Sequence, residues 1–136
     1  MRRLALLVTA LVPAAACGHS TDPADRPVGT YVLRTVNGHP AAEAWPSTAG
    51  YAADTVTVAG DGTWRRAQWH RTEDGPPYLV ASAGTWTVGG GELRMRLAPP
   101  NTGTTYTFGV AEAGRVLQWQ PVGDRTDDLW LYVRTP

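Results

Sequence analysis

The chain has 136 residues with 12 acidic and 12 basic side chains, so its overall charge does not point to nucleic acid. Every basic residue is an arginine, which excludes Schiff-base chemistry because that step needs an amine side chain. With a single cysteine, no disulfide can form within the chain, so burial must hold whatever domain this length supports.

In chain order, Met1-Arg2-Arg3 gives a positive start, residues 4–12 an apolar run, and Ala14-Ala15-Ala16 a small-residue stretch before Cys17. That order predicts a secretory signal over 1–16. The apolar run is too short to span a bilayer, which takes roughly 20 residues. A cysteine directly after the small residues resembles the lipobox of bacterial lipoproteins, with Ala14 where that family usually carries Leu. The resemblance implies cleavage before Cys17, acylation of its thiol and amine, and a membrane tether in the bacterial cell envelope. Stable anchoring takes more than one acyl chain, since a single chain gives only about 10⁴ M⁻¹. Gly18 stands where Asp tends to retain lipoproteins at the inner membrane, so the resemblance favours the outer membrane in a two-membrane cell. The competing reading is an ordinary secretory signal in which Cys17 is incidental.

Residues 17–28 are polar, Pro-bearing and without periodicity after Cys17, and they read as a flexible tether. From Gly29 on, short Val/Thr/Tyr/Trp-rich runs are divided by Gly, Pro, Asn and Asp, which is the grammar of strands. The predicted strands are 30–36, 54–58, 63–71, 78–88, 92–97, 104–111, 116–120 and 128–133. Several alternate with period two: Leu93, Met95 and Leu97 oppose Arg94 and Arg96, and Tyr106, Phe108 and Val110 oppose Thr105 and Thr107. Such alternation means one buried and one wet face, as in antiparallel sheet. Most connections are too short for crossover helices, so sequential hairpins are expected. A meander of eight strands leaves two open edges unless it closes, so residues 29–136 are predicted to form an eight-stranded antiparallel up-and-down β-barrel. The one long early connection, 39–50, contains an Ala-Ala-Glu-Ala-Trp piece suited to a helical turn over an open barrel end.

Gly29-Thr30-Tyr31, Val36-Asn37-Gly38, Asp61-Gly62-Thr63-Trp64 and Gly84-Thr85-Trp86 together resemble the lipocalin-like (calycin) barrels, and more closely the small lipocalin-like lipoproteins of bacteria. The resemblance covers 29 to about 133. Lipocalins open with Gly-x-Trp, whose indole plugs the barrel base beneath a basic residue from near the last strand. By resemblance Tyr31 takes that position and Arg134 the cap.

Six tryptophans suit either a side-chain-filled barrel or one with a small pocket. The strand 63–71 has polar groups among aromatics on both faces: Trp64, Arg66, Gln68 and His70 on one, Arg65, Ala67, Trp69 and Arg71 on the other. Whichever face points inward needs internal hydrogen bonds or a ligand's polar head. The candidate ligand-binding residues are Trp45, Trp64, Gln68, His70, Trp86 and Gln118. Against them stand a barrel filled by Trp64, Trp86, Trp119 and Trp130, and a strand 63–71 exposed along much of its length with arginine stems lying over Trp rings.

Catalytic signals are weak: there is no H-E-x-x-H, G-x-S-x-G or phosphate loop, and His70 is the only histidine on a predicted strand. No catalytic residue, metal ligand or cofactor is assigned, and an enzyme is not expected. Two functions remain. One is a lipid-anchored envelope protein that takes a small, largely apolar ligand in its barrel. The other is a structural or interaction lipoprotein, its barrel filled with side chains, that engages an envelope protein through loops at Trp45 and at 124–128.

Overall fold

The computed structural model describes residues 26–43, 50–121 and 128–136, with backbone only at 50–52. Signal, Cys17 and most of the tether lie outside these residues, as does Trp45. The described chain is all-β, without a helix. The strands are β1 (Gly29–Val36), β2 (His39–Pro40), β3 (Gly50–Val58), β4 (Thr63–Arg71), β5 (Tyr78–Gly89), β6 (Glu92–Leu97), β7 (Thr105–Ala111), β8 (Val116–Trp119) and β9 (Trp130–Arg134).

All strands but β2 form an eight-stranded antiparallel meander, and β1 pairs with β9 from Tyr31↔Arg134 to Val36↔Trp130 to close it. Closure removes both edges of the meander. β2 was not anticipated from the sequence. It pairs with the far half of β1 (Thr35↔Pro40), while the near half of β1 pairs with β3 from Gly29↔Val58 to Val32↔Thr55. The register of β1 against β9 shifts between Leu33 and Thr35. One extra residue there reverses the alternation, so Leu33 and Val36 both point inward and are buried.

The two ends of the barrel differ. Short turns after β3, β5 and β7 close one end, where the chain enters at Arg26 and leaves at Pro136. The Asp61 carboxylate supports the first of these turns by accepting the Thr63 backbone N–H at 2.9 Å and the Thr63 hydroxyl at 2.6 Å. The longer connections after β4 and β6 lie at the opposite, open end.

At the closed end the Tyr31 hydroxyl donates to the Gly114 carbonyl, tying β1 to the β7–β8 turn. Arg134 faces Tyr31 across the seam, and its stem lies so close to Gly29 that a Cβ there would come within 2.6 Å of Cδ. Burial pushes the Tyr31 phenol above its ordinary pKa, and the nearby Arg134 charge opposes that push. Tyr31 and Arg134 thus meet at the base, where the sequence resemblance put them.

A second close approach joins two of the Gly-Thr-Trp motifs. The Arg96 carbonyl turns toward Gly84 and accepts the Trp64 indole N–H at 3.1 Å. A Cβ on Gly84 would sit 1.8 Å from that oxygen, so only glycine leaves room for it. Trp86 is half-buried and donates its indole N–H to the Ala59 carbonyl at 2.8 Å.

Candidate functional site

The ambiguous strand β4 is resolved by its neighbour β3. Val58 lies opposite Trp64, and Val56 opposite Arg66, so Trp64, Arg66, Gln68 and His70 point inward from the closed end toward the open end. Ala67 and Trp69 face outward with Arg65 and Arg71.

Halfway up, the inward side chains form a polar plug. Asp54 (1% exposed) and Arg66 (3% exposed) are the buried charged pair of the described core. Arg66 donates from Nη2 to Asp54 Oδ2 at 2.6 Å and from Nε to Oδ1 at 3.1 Å. Its Nη2 also donates to the Tyr132 hydroxyl at 2.8 Å, which in turn donates to Asp54 Oδ2 at 2.8 Å. Gln68 Nε2 adds a further donor to the same oxygen at 3.1 Å. Tyr132 stands on β9, and β4 and β9 are not neighbours in the sheet, so the network braces opposite walls.

The guanidinium lies 4.4 Å from the centre of the Trp119 ring and 5.4 Å from that of Tyr106. Such stacking on a desolvated cation contributes about 2 kcal/mol. Burial works against the Arg66 charge, but its neighbours Tyr132 and Asp54 outweigh it and hold the guanidinium charged. Burial likewise pushes the Tyr132 phenol well above its ordinary pKa, with Arg66 opposing and Asp54 reinforcing the shift.

Around this plug the rings interlock: Trp119 meets Trp130 edge-on at 5.1 Å and Tyr106 edge-on at 5.9 Å, and Phe108 meets Tyr132 at 5.7 Å. Tyr31, Val56, Leu93, Met95, Phe108, Leu117 and Tyr132 all have 0% exposure. A side chain with no accessible surface borders no void wide enough for water, so the barrel is filled around these residues, while Gln68, Tyr106 and Trp119 beside the plug keep partial exposure.

Of the sequence-derived candidates, Trp64 is core, Trp86 is a half-buried ring against that core, and Gln68 is part of the plug. His70, half-buried, stands nearer the open end with Tyr78 stacked on it at 5.0 Å. Gln118 is exposed on the outer wall, beside Glu92, Thr107 and Gln120 in a shallow cleft of about 350 Å³, away from the inward group. A second outer cleft of about 400 Å³ runs over Thr55, Arg65, Ala67, Ala81 and Ala83. Sequence reading missed Asp54 and Tyr132. The available signal was phase: Asp54 keeps step with Val56 and Val58, and Tyr132 with Trp130. Among the described residues no group of three His, Cys, Asp or Glu side chains is placed to hold a metal ion.

Fold and site together define a closed eight-stranded antiparallel barrel, compatible with a lipocalin-like fold, whose centre is a braced ion pair. Neither the family models nor the curated proteins nor the solved structures contain a match to this chain.

Proposed function

We propose that this chain is a lipid-anchored envelope protein whose filled barrel is a rigid scaffold for binding another envelope protein at its open end. The observation that carries the reading is the filled interior. The inward charges of Asp54 and Arg66 bind one another and Tyr132, so neither is left free to hold a ligand's polar head at mid-barrel.

The distribution of exposed apolar side chains supports the open end as the binding face. Of the six large ones among the described residues, Trp69, Tyr78, Leu79, Val80 and Leu129 lie in the open half, and only Val88 lies near the closed end. The chain enters the barrel at the closed end, and the residues between Cys17 and Arg26 reach on the order of 30 Å at full extension. An anchor at Cys17 therefore attaches through the closed end and leaves the open rim free to meet a partner.

A second reading places a small, largely apolar ligand on the rim itself, where Gln68 and His70 are half-buried beside the exposed Tyr78 and Val80. One experiment separates the two: photo-cross-linking from Leu129 at the open end and from Ala113 at the closed end in intact cells, with native mass spectrometry of the purified protein. A discrete protein adduct from Leu129 alone, with no small molecule retained, is the expected result. A retained small molecule and no adduct would overturn it in favour of the rim ligand.

A further inference from the structure

β5 is twelve residues long, but its pairing with β6 begins only at Gly84↔Leu97. The Ala98 N–H still reaches the Ala83 carbonyl at 2.9 Å, and the chain then turns back, with the Asn101 N–H donating to the Ala98 carbonyl. Residues 78–82 pair with β4 on one side, from Arg66↔Ser82 to His70↔Tyr78, and with no described strand on the other.

Peptide groups alternate in direction along a strand. Because the Ala83 carbonyl points toward β6, the N–H and C=O groups of Leu79 and Ala81 point to that same free edge. The side chains there are apolar and open: Tyr78 is 51%, Leu79 48% and Val80 39% exposed. No charged residue occurs from Gly75 to Gly91, so the usual charged guard of an exposed edge is missing.

We propose that this edge pairs with the same edge of a second copy, antiparallel about a two-fold axis at Val80. Three features of the chain select this occupant. A two-fold axis at Val80 sets Leu79 opposite Ala81 of the other copy, and both residues direct their peptide groups to the edge, so four backbone hydrogen bonds form. The same axis sets large against small, Leu79 on Ala81 and Tyr78 on Ser82, with Val80 on Val80, so the edge is complementary to itself as an isologous dimer requires. Moving the axis to Ala81 fails, because it pairs Leu79 with Ala83, whose carbonyl Ala98 already occupies. This edge shares Tyr78, Leu79 and Val80 with the apolar open half and leaves Trp69 and Leu129 outside the pairing; its contact patch is small, so the dimer is weak and concentration-dependent.

The test uses the full chain carrying Cys17→Ser, so that the cysteine introduced is the only one. In a non-hydrogen-bonded antiparallel pair the Cβ atoms lie roughly 4.5–5.5 Å apart, near the range a disulfide spans. Val80→Cys is expected to give a disulfide-linked homodimer under mild oxidation, at least tenfold more than Val88→Cys, although Val88 is the more exposed of the two on the same strand. Adding Ala81→Pro removes a donor at the free edge and leaves the β4 ladder intact, so it should abolish the cross-link while circular dichroism stays unchanged. Equal cross-linking at 80 and 88, no cross-linking at 80, or capture of a different protein's strand by Val80→Cys would each overturn the proposal.

Discussion

Replacing Arg66 by Met tests whether the polar plug holds the barrel's walls together. The substitution keeps a long apolar stem but leaves the Asp54 carboxylate, 1% exposed, with only Gln68 and Tyr132 as donors. Breaking a buried pair by removing one partner costs about 3–5 kcal/mol. At roughly 4 °C per kcal/mol for a domain of this size, Tm should fall by about 12–20 °C. Removing Asp54 as well, as Asp54→Leu, should recover part of that loss but strand the Tyr132 hydroxyl, which has no other partner in the network. A stranded buried hydroxyl costs about 1–3 kcal/mol. Adding Tyr132→Phe to the pair should therefore bring stability back to within about 2 kcal/mol of the parent, because an apolar replacement of a whole buried network is often neutral. Urea unfolding followed by tryptophan fluorescence measures all three. An Arg66→Met protein within about 1 kcal/mol of the parent, or a triple variant no better than the single one, would refute the brace.

Two further outcomes follow from the same packing. Gly84→Ala should cost more than about 3 kcal/mol, since its Cβ meets the Arg96 carbonyl at 1.8 Å, whereas Gly89→Ala, with no atom within 4 Å, should stay within about 0.5 kcal/mol by the same unfolding assay. Tyr31 and Tyr132 both have phenols raised above the ordinary value of about 10, so their stabilisation is complete below that pH and is lost as pH rises beyond it. The urea midpoint should hold steady up to about pH 9 and fall by pH 11, with these two tyrosines ionising only as the protein unfolds. A flat midpoint with all tyrosines titrating together near pH 10 would contradict it.

Most of the barrel was legible in the sequence because alternation and turn residues are local. Each predicted strand has its counterpart, and the Leu93-Met95-Leu97 and Tyr106-Phe108-Val110 faces point as their period says. Of the helical turn expected over 41–45, residues 41–43 form a turn, and Ala44 and Trp45 lie outside the described residues. The inward face of β4 was not legible from β4 alone, since both of its phases carry arginine and tryptophan. It is decided across the hairpin at 59–62, whose register sets Val58 opposite Trp64. The plug was hidden for a similar reason. Asp54, Arg66 and Tyr132 meet only because the sheet curls until β9 faces β4, a relation that no spacing along the chain encodes.

The seam between β1 and β9 has a kinetic consequence. Thr30 and Thr135, which share two hydrogen bonds at that seam, are 105 residues apart in the chain. During synthesis β1 therefore emerges long before the strand that covers its outer side, and it can pair only with β2 and β3 meanwhile. Such distant pairings form late and slowly, because loop closure must be met before they contribute. The half-made barrel keeps β1 and the latest strand as open edges until β9 arrives. Released chains truncated before Trp130 should consequently be far more sensitive to protease and aggregation than chains that include Arg134, a step rather than a gradual gain in order with length.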